Sequence, residues 1–415
     1  MSGGTQRRQA SGAVLVAVLC LAEVLNMLGN ATFPALIPVF QRDWALSNTG
    51  AGWISGVYYA GYVAAVPLLV SLTDRRDARL IYVLSSALGA LGALGFALFA
   101  VDALSAAFWR VLGGVGLAGT YMVGLKILAD RIEGPNQSRA VAFYTAHFNV
   151  GVTVSVLAAG EIAALADWRW AFGLAALGNL AAALLILVCV ADGRAPRRAA
   201  EEGSALDIRP VFRNRKALGY ILAYSAHIWE LFGFRTWLVA FLAFAAGLQG
   251  AELLGLRPTQ LATILLLLHL PAAILGNEAA LRFGRRRAIT ATMLLSALLA
   301  CGLGFLAPAA PWLLLLACAV YSVLVIADSA AITAGAVAAA EPARRGATMA
   351  VHTMLGFGAG VLGPLAFGAV LDLAGGSARV EAWGLAFAAM GLVAALGPIF
   401  LAGFGAGAAE GRVRR

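Results

Sequence analysis

Charged side chains are scarce in this chain of 415 residues: Asp, Glu, Lys and Arg together make up 12%, whereas 61% of the residues are hydrophobic. A water-soluble domain carries about 25% charged residues. The composition therefore excludes an ordinary water-soluble protein and predicts a chain that lies in a membrane.

Several chemical signatures are also missing. The four cysteines stand at no metal-ligand spacing and fall within apolar stretches, so we predict neither a disulfide framework nor a thiolate metal site at Cys20, Cys189, Cys301 and Cys318. The sequence has no Gly-x-x-x-x-Gly-Lys-Ser/Thr loop for ATP and no His-Glu-x-x-His motif of a zinc hydrolase. We expect no enzymatic activity, no catalytic residue and no cofactor.

Long apolar runs, by contrast, are frequent. A helix needs roughly 20 apolar residues to cross a bilayer, and turn signals at strand spacing are missing, which favours helices over a barrel. The twelve predicted spans lie near 13–38, 51–72, 80–100, 104–127, 139–162, 169–191, 217–241, 259–281, 288–307, 311–337, 346–372 and 382–404. We interpret the first as a retained helix rather than a signal peptide. The predicted fold class is an all-α polytopic membrane protein.

The basic residues lie almost entirely in loops on one side of this predicted membrane. With the N-terminus inside, the inner loops hold 24 Lys and Arg residues, and the outer loops hold four, namely Arg42, Arg169, Arg257 and Arg379. The positive-inside rule then places both termini in the cytoplasm and the chain in the cytoplasmic (inner) membrane. Since the positive charges are dispersed among short loops, the net charge of +9 does not indicate nucleic-acid binding.

The chain also contains an internal duplication. A polar segment, 192–216, separates an N-terminal half of six spans, 1–191, from a C-terminal half of six spans, 217–415. "SRAVAFYTAHFNVG" aligns with "RRGATMAVHTMLGFG", and "TDRRDAR" after the second span corresponds to "LRFGRRR" after the eighth. A 6+6 duplication of this kind is typical of many secondary transporters.

These features together resemble the major facilitator superfamily over the whole chain. The first cytoplasmic motif of that family, Gly-x-x-x-Asp-Arg-x-Gly-Arg-Arg, is matched at Asp74, Arg75 and Arg79, with Val70 and Asp77 at its glycine positions. Its second copy has Leu281 in place of the acid and is matched at Arg282, Gly284, Arg285 and Arg286.

Other motifs of the family are matched unevenly. The fourth-span motif resembles "RVLGGVGLAGTYMVGLK", which begins at Arg110, whereas the fifth span lacks the proline of the drug/proton antiporters. The resemblance implies two six-helix bundles around a central cavity lined by spans one, four, seven and ten. It also implies a conformational latch at Asp74, Arg75 and Arg79.

Ionisable residues inside the spans mark the candidate site, because a charge at mid-membrane costs roughly 2.5–3.5 kcal/mol even on lenient scales. Spans three, six, nine and twelve carry no charge in their middles, so we interpret every third span as a lipid-facing strut. The candidates for proton coupling are Glu23, Glu230 and Asp328. For Glu23 and Asp328 the alternative is an ion pair with Arg110 or Arg235.

The candidates for substrate binding are Asn26, Arg110, Tyr121, His227, Trp229, Glu230, Arg235 and His269. Arg110 has two open interpretations: it holds adjacent helices together, or its guanidinium binds an anionic substrate. On a regular helix Glu230 and Arg235 lie about 140° apart. Their partners are therefore expected on other helices or on the substrate.

All four histidines lie in predicted spans, where each is either a packing residue or a proton or substrate ligand. His147 and His352 lie near the cytoplasmic ends of their spans, so we assign them to gating with Asp74, Arg75, Arg79 and Arg285. His227 and Glu230 could reach one metal ion, but no further ligand joins them, and we predict no metal site.

The predicted function is secondary active transport of a small anionic or zwitterionic organic solute by alternating access, driven by protons as in a symporter. The alternatives are proton-driven efflux of hydrophobic or cationic compounds, metal-ion transport, or a sensor or assembly factor that transports nothing. The expected partners are a small-molecule substrate, protons and the lipid bilayer, and we expect a monomer.

Overall fold

The computed structural model describes residues 12–132, 135–191, 208–250 and 252–405. The helices before residue 192 are α1 Gly12–Met27, α2 Thr32–Ala35, α3 Ile37–Trp44, α4 Asn48–Leu72, α5 Ala78–Phe99, α6 Ala103–Leu117, α7 Val123–Arg131, α8 Pro135–Leu165 and α9 Trp168–Cys189. Those after residue 207 are α10 Arg209–Arg213, α11 Arg215–Gln249, α12 Pro258–Leu267, α13 His269–Phe283, α14 Arg285–Leu303, α15 Pro311–Ala327, α16 Ser329–Ala339, α17 Arg345–Leu373, α18 Val380–Ala394 and α19 Leu396–Gly405.

These helices have the length and surface of membrane spans. Within the described ranges, eleven helical segments are long and apolar enough to cross a membrane, and α1 is a shorter apolar helix. Large apolar side chains remain exposed along the outer faces, for example Leu84, Leu91 and Leu98 on α5 and Leu177 and Leu184 on α9. Such faces are stable against lipid rather than water. The prediction of an all-α polytopic membrane protein is confirmed.

The first predicted span, 13–38, is not one helix, and that part of the prediction is wrong. Helix α1 ends at Met27, and residues 28–31 form turns before α2 begins at Thr32. Pro34 supplies the physical reason, because its ring nitrogen has no hydrogen to donate to the carbonyl oxygen of Asn30, four residues earlier. The break leaves backbone oxygens inside the fold that need other donors.

Further spans are interrupted, one of them at Ala395 between α18 and α19. A turn at Leu268 separates α12 from α13, three residues before Pro271, and Asp328 alone separates α15 from α16. A π-helical turn, Ala118–Met122, joins α6 to α7. In membrane proteins such irregular backbone is tolerated where it is buried in protein or lines a cavity. The interruptions at residues 28–31 and at Asp328 lie beside the ionisable residues described below.

Glycine allows a close helix crossing between α4 and α6. Gly61 on α4 faces the backbone of Val111 on α6, and Gly114 on α6 faces the carbonyl oxygen of Tyr58 on α4. A Cβ atom at either position would collide with that backbone. The two helices therefore approach without intervening side chains, as at other small-residue interfaces in membranes, and this approach places Arg110 beside Tyr58.

The chain forms two compact units. The first unit contains Met1–Glu201 and Thr236–Leu270, and the second contains Glu202–Arg235 and Pro271–Arg415. The division into halves 1–191 and 217–415 stays a prediction. Residues 192–207 of the predicted central loop lie outside the described residues.

Candidate functional site

In the first unit, Arg110 satisfies the carbonyl groups that the break in the first span leaves free. Its Nη1 donates to the oxygen of Gly29 over 2.8 Å, and its Nη2 donates to the oxygen of Asn30 over 3.0 Å. The guanidinium carbon lies 4.1 Å from the centre of the Tyr58 ring. Arg110 therefore ties α6 to the interrupted first span, which agrees with one of its two interpretations.

The positive charge of Arg110 has no acidic partner among the described residues. The residue is 3% exposed, and its contacts are two neutral carbonyls and an aromatic face. Its Nε has no hydrogen-bond partner in the described part of the chain. The predicted alternative of an ion pair between Arg110 and Glu23 is wrong. A buried cation of this kind is stabilised when an anion binds beside it.

Two further backbone groups of the break, the oxygen of Leu28 and the amide of Ala31, bond to hydroxyls. Ser155 on α8 donates to the oxygen of Leu28 over 2.6 Å and accepts from the amide of Ala31 over 3.0 Å. Thr32 donates to the same Leu28 oxygen over 2.7 Å. Neither Ser155 nor Thr32 is predicted from the sequence, because an isolated hydroxyl residue in a helix often bonds only to the backbone of its own helix.

Asn26 is a fully bonded residue of α1. Its Nδ2 donates to the oxygen of Ala22 and to the hydroxyl of Tyr82, both over 2.9 Å, and its Oδ1 accepts from Ser86 over 3.0 Å. Tyr82 and Ser86 belong to α5, which was predicted to be a lipid-facing strut. The inner face of α5 therefore contributes to the polar interior, while its outer face carries the exposed leucines.

Glu23, one turn before Asn26, lies in a different setting. It is 2% exposed, and neither carboxyl oxygen has a hydrogen-bond partner among the described residues. Its surroundings are the apolar cluster that contains Cys20, Tyr82 and Tyr144. Charge on such a group is costly, whereas a protonated carboxyl is tolerated.

A small cavity of about 20 Å³, room for about one water molecule, lies beside Arg110 in the first unit. Its walls include Asn26, Tyr58, Arg110 and Asn179 together with the aromatic ring of Phe96. Asn179 donates to the oxygen of Ala175 over 2.8 Å. Asn26 and Arg110, two predicted substrate ligands, thus share one cavity.

In the second unit, the side chains of His227 and Asp328 contact each other. Nδ1 of His227 on α11 lies 2.9 Å from Oδ1 of Asp328, and both side chains are almost fully buried, at 1% and 3% exposed. Asp328 reaches this position from the break between α15 and α16. The predicted alternative, an ion pair between Asp328 and Arg110 or Arg235, was wrong about the partner, which is histidine.

Glu230, one turn further along α11, is held by two hydroxyl groups. Ser296 on α14 and Tyr321 on α15 both donate to its Oε1, over 2.5 Å and 2.8 Å. The sequence predicts charged partners for Glu230, and it gives no signal for Ser296 because α14 is interpreted as a strut. Arg235, five residues further along α11, is half-buried.

His352 on α17 lies in the same part of the second unit. Its ring stacks on Tyr224 with a centroid distance of 3.8 Å, and the ring of His227 lies 5.9 Å from that of Tyr224. Nε2 of His352 is 3.4 Å from the hydroxyl of Thr333. His352, predicted as a gating residue, therefore lies in one cluster with His227 and Asp328.

The remaining predicted substrate ligands are Tyr121, Trp229 and His269. Tyr121, in the π-helical turn, stacks on Tyr144 at 5.8 Å, and Trp229 on α11 has an indole nitrogen without a partner in the described residues. His269 is buried where α13 begins. His147 is half-exposed and its Nδ1 lies 2.7 Å from the oxygen of Phe143, a local contact within α8. Among the described residues, no group of three His, Cys, Asp or Glu side chains could hold a metal ion.

Two of the predicted latch residues, Asp74 and Arg79, contact other helices of the first unit. Asp74 lies 3.7 Å from Nζ of Lys126, and Arg79 donates from Nη2 to the oxygen of Leu187 over 2.5 Å. Arg75 is exposed, and Arg285 is half-exposed as the first residue of α14. In the second motif copy it is the next residue, Arg286, that donates to a helix end, at the oxygen of Leu401.

An ion pair joins the ends of α8 and α12 within the first unit. The guanidinium of Arg257 contacts Oε2 of Glu161, and Gln260 donates to Oε1 of Glu161 over 2.9 Å. The backbone amide of Arg257 in turn donates to Gln260 over 3.1 Å. The position of Glu161 near a span end predicts a solvated residue, but its side chain is only 35% exposed.

Comparison with known proteins agrees with this architecture. The chain is 25% identical over 263 residues to protein spinster homolog 3 of Danio rerio, which covers 60% of this chain and 51% of that protein. It is 23% identical over 223 residues to the sphingosine-1-phosphate transporter SPNS2 of Mus musculus, covering 51% of this chain and 40% of the relative. The matches thus span about half the length of these curated relatives or less.

Solved structures share the fold over nearly the whole chain. A bacterial homolog of the human lysosomal transporter Spinster, in an inward-facing and occupied conformation, gives a TM-score of 0.77 at 14% identity and covers 95% of this chain and 96% of its own. A D-xylose-proton symporter gives 0.76 at 16% identity, covering 94% and 97%. The family model described as Major Facilitator Superfamily matches residues 19–354. This chain belongs to the Major Facilitator Superfamily.

Proposed function

We propose that this transporter moves a small organic solute with an anionic or zwitterionic group across the cytoplasmic membrane by alternating access, coupled to protons as a symporter. The observation that carries the proposal is the buried guanidinium of Arg110, which has no carboxylate partner among the described residues. Planar guanidinium groups match carboxylate, phosphate and sulfonate geometry better than any other side chain.

The names of related proteins support the proposed class of substrate. One relative is named a sphingosine-1-phosphate transporter, and that molecule carries a phosphate and an amine. A structural neighbour is named a proton symporter. Amphiphilic phosphates therefore belong among the compounds to be screened, next to water-soluble carboxylates and phosphates.

Three groups of residues are assigned to the transport cycle. The proton-coupling residues are Glu23, Glu230 and Asp328, and the substrate ligands are Asn26, Arg110, Tyr121, His227, Trp229, Glu230, Arg235 and His269. Gating is assigned to Asp74, Arg75, Arg79, His147, Arg285 and His352. The protein acts as a monomer with both termini in the cytoplasm.

The test begins with thermal-shift measurements on the purified protein. Pairs of compounds that differ only in an anionic group, such as a sugar and its phosphate, are compared on wild type and Arg110→Gln. We expect stabilisation by the anionic member of a pair in wild type and its loss in the variant. Equal shifts for both members, or retention of the shift in Arg110→Gln, would contradict the anionic substrate.

Proton coupling is tested on the compound so identified. Proteoliposomes with an imposed pH gradient should accumulate it, and collapse of the gradient with a protonophore should leave only equilibration. If accumulation does not depend on the pH gradient, proton coupling is wrong, whereas the proposal of an anionic substrate is unaffected.

A second candidate function, proton-driven efflux of hydrophobic cations, is favoured by one observation. Glu23 presents two carboxyl oxygens without donors among the described residues, in an apolar surrounding that includes the rings of Tyr82 and Tyr144. A lipophilic cation would neutralise the carboxylate and pack against these rings. Export of ethidium that is lost in Glu23→Gln but retained in Arg110→Gln would favour efflux over the anionic substrate.

A further inference from the structure

The arginine-rich turn between α13 and α14 lies at a membrane surface. One segment that is long and apolar enough to cross a membrane, Pro258–Phe283, ends at this turn, and the next, Arg285–Leu306, begins just after it. Gly284 between them has a φ of 92°, a left-handed conformation that glycine adopts readily, and it reverses the chain within a single residue. The side chains of the turn therefore lie at the level of the lipid headgroups, which flank the hydrocarbon core.

The corresponding turn after α4 contains two acids that this second copy of the motif lacks. Aligned on the motif, the first copy is "DRRDAR" and the second is "LRFGRR", so Leu281 and Gly284 stand where the first copy has Asp74 and Asp77. Three arginines and two aspartates give the first copy a net charge of +1. Three arginines without an acid give the second copy +3.

Two arginines of the second copy are available to a ligand. Arg282 is exposed and Arg285 is half-exposed. Neither forms an ion pair with an acid in the described part of the chain. This includes Glu278, which lies one turn before Arg282 on α13. Their positive charge is therefore not neutralised by the described residues.

A further arginine from another helix joins this surface. Arg286 donates from Nη2 to the oxygen of Leu401 over 2.7 Å, and Arg215, the first residue of α11, donates from Nη2 to the oxygen of Gly403 over 3.4 Å. The two acceptors are two residues apart on α19, a helix without Asp or Glu. The starts of α11 and α14 thus meet at one helix end, where their positive charges add.

Apolar side chains accompany the arginines. Leu281 is 65% exposed and Phe283 is 62% exposed. Ile274, 59% exposed, precedes Leu281 by seven residues, and at about 100° per residue the two lie on nearly the same face of α13. The lipid-facing side of α13 therefore continues up to the arginines. A water-soluble anion would use the positive charge alone, whereas a phospholipid matches both the charge and the apolar face.

We propose that this surface, the basic turn, binds a phospholipid whose headgroup carries a net negative charge. The basic turn consists of Arg215, Arg282, Arg285 and Arg286 with Leu281 and Phe283. The guanidinium groups bind the phosphate oxygens, and the acyl chains pack along the apolar side chains. Clustered arginines at the inner end of membrane helices attract anionic lipids of that leaflet. The site involves neither Arg110 nor the transported solute.

Native mass spectrometry of the full chain tests the preference for an anionic lipid. The protein is released from nanodiscs that contain equal amounts of phosphatidylglycerol and phosphatidylcholine with the same acyl chains. We expect wild type to retain phosphatidylglycerol preferentially. Combined Arg282→Gln and Arg285→Gln should lower this retention about fivefold or more, because each arginine near an anionic surface contributes to the attraction. Equal retention of both lipids by wild type would overturn the proposal.

A double variant of the first copy is the matched control. Combined Arg75→Gln and Arg76→Gln removes the same charge from two exposed positions and should keep the preference. Equal losses in the two double variants would show a general effect of net charge and would contradict a site at the basic turn. Thermal unfolding in detergent without phosphatidylglycerol should be unchanged in both, since none of the four side chains has a structural contact assigned to it.

Restoring the missing acid gives an independent test. Leu281→Asp returns the acid of the first copy to an exposed position and should weaken retention of phosphatidylglycerol, whereas Leu281→Asn, of the same size but neutral, should weaken it less. Equal retention in the two variants would mean that charge at this turn does not select the lipid, and the proposal would be wrong.

Two further measurements identify the source of the phosphate. Glycerol phosphate, which has the headgroup chemistry without acyl chains, should not displace the lipid at equal concentration. Displacement would show a site for a soluble phosphate and overturn the lipid. A preference that is lost in Arg110→Gln but kept in the Arg282→Gln and Arg285→Gln variant would place the lipid in the proposed transport site instead, which also overturns the basic turn.

Discussion

Arg286 donates a hydrogen bond to the carbonyl oxygen of Leu401 over 2.7 Å, close to the end of the last helix. Arg79 makes the corresponding contact with Leu187 near the end of α9. Both arginines are the second residue of their helix, after Asp77 in one case and Gly284 in the other. Carbonyl groups at a helix end lack partners within the helix and attract cations, so the last arginine of each motif copy stabilises the closing helix of its repeat.

Replacing Arg79 or Arg286 by glutamine should therefore destabilise the fold. A hydrogen bond of this kind contributes roughly 0.5–1.5 kcal/mol, and the two effects should add because the residues belong to different units. Thermal unfolding in detergent measures the change. The neighbouring exposed residues Arg76 and Arg287 serve as matched controls, and equal effects of Arg286→Gln and Arg287→Gln would contradict the assignment.

Arg110→Lys should be nearly as damaging to stability as Arg110→Gln. One ammonium group cannot reproduce the two separate donors to Gly29 and Asn30 and the contact with Tyr58. Each buried carbonyl left without a donor costs about 1–3 kcal/mol. A fully stable Arg110→Lys protein in thermal unfolding would show that the break in the first span does not depend on this residue.

The ion pair between Glu161 and Arg257 should limit local unfolding where the ends of α8 and α12 contact each other. Because both side chains are about one-third exposed, the ion pair contributes at most about 1 kcal/mol. We expect Glu161→Gln to increase hydrogen exchange of peptides that cover α12. The exchanged pair Glu161→Arg with Arg257→Glu should restore part of the protection, whereas Arg169→Gln, which breaks a local pair with Asp167, should leave α12 unchanged.

Ser296→Ala and Tyr321→Phe should be coupled in their effects. Either hydroxyl alone still gives Oε1 of Glu230 one donor, but the double variant leaves a buried oxygen without either. The destabilisation of the double variant should exceed the sum of the single ones by on the order of 1 kcal/mol. Additive effects in a double-mutant cycle would show that Glu230 finds another donor. Ser225→Ala, which removes a local bond to the backbone of Ile221, is the matched control.

The start of α6 should respond to acid through Asp102. The Ser105 hydroxyl, and then the Ser105 amide, donate to the Asp102 carboxyl and lower its pKa. A lowered pKa in the folded state stabilises that state above the ordinary value of about 3.9, and the effect is lost as pH falls through the lowered value. The protection of the amides of residues 103–106, corrected for the intrinsic exchange rate at each pH, should fall in acid in wild type. Asp102→Asn should remove this dependence. A variant with the same acid response would contradict the role of Asp102.

Much of the fold follows from local properties of the chain. Long apolar runs, the excess of arginine in alternate loops and the cost of buried charge depend only on composition and order, and they are sufficient to predict the helices and to select Glu23, Arg110, His227 and Asp328. The break at residues 28–31 could also be predicted from the sequence, because Pro34 stands four residues after Asn30 and cannot donate the helical hydrogen bond to its carbonyl oxygen.

The partners of those residues depended on the tertiary structure. A helix turns by about 100° per residue, so a small rotation of a helix decides whether Asp328 contacts Arg235 or His227. In the same way it decides whether Glu230 contacts a cation or the hydroxyls of Ser296 and Tyr321. Helices α5 and α14 expose leucines on one face and offer hydroxyls on the other, which a count of charges could not reveal. Periodicity and composition thus determine which residues are buried. The packing of helices distant in sequence determines which of these residues form hydrogen bonds or ion pairs with one another.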